Sequence, residues 1–216
     1  MATIRLAALG DSFVEGRGDP GADGRWVGWV SRLADLLGIG QRGCLNLGAF
    51  EATTQRVADE QLPVALVRKA PLIGVIVGVN DLVSDYEPAR FATNLNRVFD
   101  GLSGQGTTLF TATYPDIPGN LSVPKQFREL LRGRFARAND TLRAAVARTH
   151  ALCLDVTEMP EWRDPARWSA DGLHPSPLGH QRFAEEVANL IAWETGVAVA
   201  QSDSALVGAA GPGSAW

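Results

Sequence analysis

Short apolar runs alternate along this chain with longer segments in which apolar residues recur every three or four positions. The apolar runs predict five β-strands, over Thr3–Leu9, Gly43–Leu47, Leu72–Val77, Thr107–Thr113 and Ala151–Val156. The third run is almost continuously apolar and largely β-branched, which is typical of a strand that is buried on both faces of a sheet.

The segments between these runs have the period of amphipathic helices. Helices are predicted from Trp26 to Leu37, within Thr53–Val67, over Pro88–Leu102, from Phe127 to Val146 and within Pro175–Glu194. Pro63 predicts a kink or an end in the second helix, because proline cannot donate the backbone hydrogen bond of a helix. Residues 114–124 include three prolines and a glycine, which indicates a long loop.

Strands and helices that alternate in this way predict an α/β fold, in which a parallel sheet has helices on both faces. The chain has 216 residues, with no internal repeat and no second domain boundary. We therefore expect a single domain over residues 1–195. Residues 196–216 are rich in Ala, Gly and Ser, carry one charge at Asp203, and are predicted to form a flexible tail.

The composition excludes several classes of partner. A net charge of −4 offers no basic surface for nucleic acid or for an anionic membrane. No apolar run reaches the roughly 20 residues that span a bilayer, so no membrane span is expected. The N-terminal segment has neither the length nor the cleavage site of a signal peptide, and we therefore expect a cytoplasmic protein.

Polar residues that could take part in catalysis or binding follow the predicted strands. Ser12 follows the first strand, Glu51 the second and Asn80 the third, while Asp171 and His174 come after the fifth. In parallel α/β sheets the ligand site lies beyond the carboxyl ends of the strands. These five residues are therefore candidates for one common site.

A serine hydroxyl becomes a nucleophile only when a base takes its proton. His174 lies in a short Asp171-Gly172-Leu173-His174 turn, in which the carboxylate can orient the imidazole, as in a catalytic triad. The other histidines, His150 and His180, are expected to cap a helix and to make a structural hydrogen bond. Asn80 can donate its amide to an oxyanion, or can simply form an Asn-Asp turn.

Three stretches together resemble the signature blocks of the SGNH (GDSL) hydrolases: Gly10-Asp11-Ser12-Phe13, Gly78-x-Asn80-Asp81 and Asp171-x-x-His174-Pro175. The resemblance runs from about residue 5 to residue 191. It implies a flavodoxin-like, three-layer α/β/α fold with a five-stranded parallel sheet, and ester hydrolysis with neither a metal nor an organic cofactor. Other stretches resemble a branch of esterases and lipases common in actinobacteria: Gly18-Asp19-Pro20, Leu130-Leu131-Arg132-Gly133 and residues 168–176.

The resemblance implies a role for each candidate. Ser12 corresponds to the nucleophile, His174 to the general base and then acid, and Asp171 to its orienting partner. Ser12 through its backbone N–H and Asn80 through its side chain correspond to oxyanion donors. The third donor in the family is the backbone N–H of a glycine in Asn-x-x-x-x-Gly, and matching from Asn46 places Glu51 at that glycine.

Two interpretations of this departure stay open. Either the backbone N–H of Glu51 serves as the donor, with its carboxylate beside the site, or the register shifts and Gly48 supplies the N–H. The gapless match favours Glu51. We expect this glutamate to narrow the range of substrates, or to favour a substrate with a cationic or hydroxyl-rich group.

The predicted function is serine-dependent hydrolysis of a small-molecule carboxylic ester through an acyl-enzyme. No large apolar cap domain is visible in the sequence, which favours small or medium acyl groups. One alternative is an acyltransferase that uses the same triad with an alcohol acceptor. Another is a catalytically weak binding module on the same fold, which the glutamate at position 51 makes conceivable.

Overall fold

Five parallel strands form one sheet at the centre of the protein. The structure is a computed structural model, and it describes residues 3–104 and 106–199. The strands lie in the order β2-β1-β3-β4-β5, with bounds β1 Leu6–Gly10, β2 Cys44–Asn46, β3 Leu72–Ile76, β4 Thr108–Ala112 and β5 Leu152–Leu154. This is the flavodoxin-like strand order. The α/β fold expected from the sequence is confirmed.

Helices cover the sheet on both faces. Right-handed crossovers place α2 and α9, which pack against each other, on one face and α4, α6 and α8 on the other. The helix bounds are α1 Ser12–Glu15, α2 Gly28–Leu36, α3 Thr54–Arg56, α4 Leu62–Arg68, α5 Val79–Val83, α6 Pro88–Leu102, α7 Ile117–Asn120, α8 Lys125–Thr149 and α9 Pro177–Thr195.

The central strands are buried on both faces, whereas the edge strands β2 and β5 are short and half-buried. Between the sheet and the α2–α9 layer, the rings of Trp29, Phe110 and Phe183 meet edge to face. Gly74 in β3 makes room for this cluster, because a Cβ there would lie 2.4 Å from the Phe110 ring. Tight packing of this kind holds the strand ends in place.

The first strand begins later than the apolar run predicts. The run starts at Thr3, but β1 starts at Leu6, opposite Cys44 in β2 and Leu72 in β3. A β-ladder can begin only where its partner strands begin, and neither partner extends further back. The position of the strand is therefore set by its neighbours rather than by its own sequence.

The predicted effect of Pro63 takes an unexpected form. The helix does not end there: α3 and α4 are joined by a π-helical turn, Val57–Gln61, in which the N–H of Leu62 donates to the carbonyl of Val57, five residues back. Proline crowds the carbonyl four residues before it in an ordinary helix. The wider turn relieves that crowding and lets the helix continue.

Two further expectations concern less regular parts of the chain. The loop predicted over 114–124 contains one helical turn, α7. Most of the predicted tail lies outside the described residues, from position 200 onward. Across the ranges that the structure describes, no helix is both long enough and apolar enough to cross a membrane.

Candidate active site

Ser12 lies at the point where the central strand ends and a single helical turn begins. Asp11 caps that turn, and its carboxylate accepts the backbone N–H of Phe13 at 3.0 Å. Ser12 is the first residue of α1 and is almost buried. Its Oγ lies 2.9 Å from Nε2 of His174. The strand end therefore presents the hydroxyl directly to an imidazole.

The other ring nitrogen of His174 meets a carboxylate. Nδ1 lies 2.7 Å from Oδ2 of Asp171, while Oδ1 of Asp171 accepts the backbone N–H groups of Leu173 at 2.9 Å and His174 at 3.0 Å. This carboxylate is thus fixed by the turn that carries it. Ser12, His174 and Asp171 are brought together as the sequence predicts.

The Asp171–His174 turn is held against the rest of the protein. Trp168 and Pro175 form an antiparallel bridge across its base, and the N–H of Ser169 donates to the carbonyl of His174 at 2.8 Å. Gly172 has a left-handed φ of 68°, and a Cβ there would lie 2.5 Å from the carbonyl oxygen of Asn120. Only glycine lets the turn pack this closely on α7.

Hydrogen bonding controls the ionisation of Asp171. Partial burial alone would raise the pKa of this carboxyl group, but the donors from His174 and Leu173 outweigh it and lower the pKa below its usual value. Asp171 therefore stays ionised in neutral solution. An ionised carboxylate stabilises an imidazolium on His174.

Asn80 follows β3 at the start of α5. Its amide nitrogen donates to the carbonyl of Ala52 at 2.9 Å. The N–H of Ala52 donates to the carbonyl of Ala49 at 3.1 Å. The N–H of Ala49 donates to the carbonyl of Gly10 at 3.2 Å. The turn over residues 49–52 therefore connects the ends of β1 and β3.

Glu51 lies in that turn and has a left-handed backbone, with a φ of 57°. This conformation is common for glycine and costs other residues energy. Gly48 has a different role: a Cβ there would lie 2.2 Å from the backbone nitrogen of Glu15 and 2.8 Å from the side chain of Val14. Gly48 is therefore the residue that lets the β2 end pack against α1.

Sequence reasoning missed two buried residues that join these segments. Asp81, next to Asn80, accepts the Thr54 hydroxyl at 2.7 Å and the Thr54 N–H at 2.9 Å. Gln61 hydrogen-bonds to the backbone of Gly10. Asp81 stands in the Gly78-x-Asn80-Asp81 motif, which does not identify its partner, and the signal for Gln61 was only a polar residue beside apolar ones in a helix.

An apolar cavity of about 60 Å³ opens beyond the ends of β3, β4 and β5, and Asp11 and Leu173, which adjoin Ser12 and His174 in the sequence, are among its lining residues. Trp162 and Trp168 form part of its wall, where their rings meet edge to face and both are buried. The Nε1 of Trp168 donates to the carbonyl of Trp162. Other lining residues are Val79, Tyr114, Ile117 and Leu173.

His180 is a structural residue, as expected. It is fully buried, its Nδ1 accepts the N–H of Trp29 at 3.2 Å, and its Nε2 lies 2.8 Å from the carbonyl of Arg17. Burial lowers the pKa of this histidine to about 4. The ring is therefore neutral, and it ties α9 to the loop after α1. His150, by contrast, caps the C-terminus of α8.

The sequence model of the GDSL-like lipase/acylhydrolase family matches residues 8–182. The chain belongs to this family. It is accordingly a carboxylic ester hydrolase, as the resemblance of its motifs implied. No curated protein matches the chain.

Several solved structures share the fold of this GDSL hydrolase. A lipase/acylhydrolase from Enterococcus faecalis is 17% identical, with a TM-score of 0.68 over 88% of this chain and 96% of that one. An acetylxylan esterase from Geobacillus stearothermophilus is 18% identical, with the same TM-score and coverage. An alpha/beta hydrolase from the metagenome of Lake Arreo, Spain, is 20% identical, with a TM-score of 0.67 over 91% and 96%.

Within residues 3–104 and 106–199, no three His, Cys, Asp or Glu side chains are grouped so that they could hold a metal ion.

Asp11 of this hydrolase has an unusual ionisation. Burial raises the pKa of its carboxyl group to about 6, although the N–H groups of Phe13 and Gly78 and the nearby His174 oppose the shift. The hydrogen bonds therefore offset only part of the cost of removing the charge from water.

The raised pKa of Asp11 predicts a pH-dependent stability. The folded state binds this proton more tightly than the unfolded chain, so the contribution is complete below about pH 4 and is lost as the pH rises through about 6. Relative to Asp11→Asn, the wild-type free energy of unfolding should fall by about 3 kcal/mol across that range. Urea denaturation at a series of pH values measures this difference.

The control is Asp23→Asn, which changes an exposed aspartate that pairs with Arg25. Its stability should run parallel to that of the wild type at every pH. Parallel curves for wild type and Asp11→Asn would show that the burial of Asp11 does not perturb its titration.

Proposed function

We propose that the chain hydrolyses carboxylic esters through an acyl-enzyme on Ser12. The observation that supports this is the continuous contact from Ser12 Oγ to His174 Nε2, at 2.9 Å, and from His174 Nδ1 to Asp171, at 2.7 Å. His174 takes the proton of Ser12 as Ser12 attacks the ester carbonyl. His174 then protonates the leaving alcohol, and water activated by the same imidazole cleaves the acyl-enzyme.

The proposed oxyanion donors come from three strand ends. Ser12 begins α1, so its N–H has no partner within the helix. Asn80 is held at the site by its bond to Ala52, and Glu51 has the backbone conformation that a glycine would adopt. Gly48 is a weaker candidate, because its close packing against α1 already explains why a glycine is needed at this position. We therefore assign the third donor to the backbone N–H of Glu51.

The proposed acyl site is the apolar cavity beside Ser12. Asp11, Phe13 and Leu173, which flank the proposed catalytic residues in the sequence, all line it. A water-sized group needs roughly 10–15 Å³ of such space, so the cavity of about 60 Å³ suits an acyl group of roughly four to six carbons. This size agrees with the preference for small or medium acyl groups expected from the sequence.

Glu51 is the proposed determinant of the preferred substrate. Its side chain is exposed, and the arginines that contact its neighbour Phe50 are engaged by other carboxylates: Arg17 pairs with Glu15 and Arg56 with Glu60, both at 2.9 Å. The carboxylate of Glu51 is therefore not neutralised by these two cations. It would attract a cationic group of the substrate or accept hydrogen bonds from its hydroxyls.

The triad is tested by substitution. Ser12→Ala and His174→Ala should each lower kcat for p-nitrophenyl acetate by about 10⁶-fold, because the first removes the nucleophile and the second removes the base that activates it. Ser31→Ala, in α2, should keep wild-type turnover. If Ser12→Ala retained turnover, both the triad and the transferase alternative would be excluded. Analysis of products with added alcohol separates transfer from hydrolysis.

The acyl site predicts a change of chain-length preference. Ile117→Ala enlarges the cavity, so two additional methylenes could be buried at about 0.8 kcal/mol each, raising kcat/KM for octanoate relative to acetate by about tenfold. Steady-state kinetics with p-nitrophenyl esters measures this ratio.

The matched control for Ile117 is Ile39→Ala. Ile39 is equally buried but lines a groove at the amino ends of β1, β3 and β4, the opposite end of the sheet from the candidate site. An equal change of the ratio in both variants would mean that the cavity beside Ser12 does not hold the acyl chain.

The role of Glu51 predicts a change in charge preference. Glu51→Gly and Glu51→Gln should each lower the rate on acetylcholine relative to its neutral carbon isostere by about fivefold, which corresponds to about 1 kcal/mol near a surface. The glutamine variant keeps the side-chain size and the backbone strain, so it isolates the charge. If both variants kept the wild-type ratio of the two rates, Glu51 would not select substrates by charge.

A further inference from the structure

Gln61 makes a paired contact with the backbone just before the proposed nucleophile. Its Oε1 accepts the N–H of Gly10 at 2.8 Å, and its Nε2 donates to the carbonyl of Gly10 at 2.9 Å. Gln61 is buried, and 51 positions separate it from Gly10. One planar amide thus satisfies both polar groups of the residue that ends β1.

The same carbonyl is also bonded to the turn that carries Glu51. The N–H of Ala49 donates to the carbonyl of Gly10 at 3.2 Å, and the carbonyl of Ala52 at the other end of this turn accepts the amide of Asn80. Gly10 is therefore shared by the segment that presents Ser12 and the turn that presents the proposed oxyanion donors.

The position of Gln61 follows from its local structure. It is the last residue of the π-helical turn and lies two positions before Pro63. An ordinary helical turn has a different angular spacing, so its residues would point in other directions. π-helical turns frequently occur at functional sites, where they redirect a side chain.

We propose that Gln61 is a positioning residue for the esterase reaction: through Gly10, it sets the distance between Ser12 and the oxyanion turn. This inference rests on the proposed function of Ser12. It does not require Gln61 to touch the substrate. The expected consequence is a loss of transition-state stabilisation with little loss of substrate binding.

The substitution Gln61→Glu provides a test whose outcome a purely structural role of Gln61 would not produce. A protonated carboxyl group can donate to the Gly10 carbonyl and accept its N–H, as the amide does. An ionised carboxylate can only accept, and its charge opposes the carbonyl oxygen. The activity of Gln61→Glu relative to wild type at the same pH should therefore fall as the pH rises, and taking the ratio removes pH effects that both proteins share.

The experiment measures kcat and KM of the full chain with p-nitrophenyl acetate across a pH series. Each rate is divided by the folded fraction found from circular dichroism in the same buffer. The variants are Gln61→Glu, Gln61→Met and, as a control, Gln41→Glu on an exposed turn. We expect Gln61→Met to lose about 10- to 100-fold in kcat at every pH, because small displacements of reacting groups have effects of that size.

The results test the positioning role of Gln61 separately from the proposed function of Ser12. A pH-dependent ratio for Gln61→Glu, a pH-independent loss for Gln61→Met, and KM within about threefold of wild type would support it. If kcat per folded enzyme stayed within about twofold in both variants, or if KM rose while kcat did not change, the positioning role would be wrong. Full activity of Ser12→Ala would instead overturn the proposed function itself.

Discussion

The burial of β1 at the centre of the sheet is the constraint on which the site depends. β2 and β3 pair with it on either side, helices cover both faces, and each of its residues is buried. A strand held in this way ends at a fixed point relative to its neighbours. Ser12 and His174, which are 162 positions apart in the sequence, can therefore meet at 2.9 Å.

Buried polar groups surround this strand end, and their hydrogen bonds determine its geometry. Asp11, Gln61 and Asp81 are all removed from water, and each accepts a backbone N–H from another segment: Asp11 from Gly78, Gln61 from Gly10 and Asp81 from Thr54. A polar group without a partner in such a position would cost about 2–7 kcal/mol. The network is satisfied only when β1, the turn over 49–52 and α5 adopt one arrangement, so the same bonds that offset burial also preorganise the site.

Glu51 shows how this arrangement overrides a local preference. A left-handed backbone costs a residue other than glycine about 1–2 kcal/mol. The bonds from Ala49 to Gly10 and from Asn80 to Ala52 hold both ends of the turn, and Glu51 retains its φ of 57° between them. Strain of this kind is often found at functional sites, where the surrounding contacts maintain it.

The sequence by itself determined the α/β fold class and the candidates Ser12, Asp171 and His174, because hydrophobic period and short motifs are local properties. The tertiary structure alone decided where β1 begins, that Pro63 is accommodated by a π-helical turn, and that Gln61 meets Gly10. Each of these depends on a partner that is distant in the sequence. A contact across 51 positions leaves no periodic pattern along the chain, because its partners are adjacent only after folding.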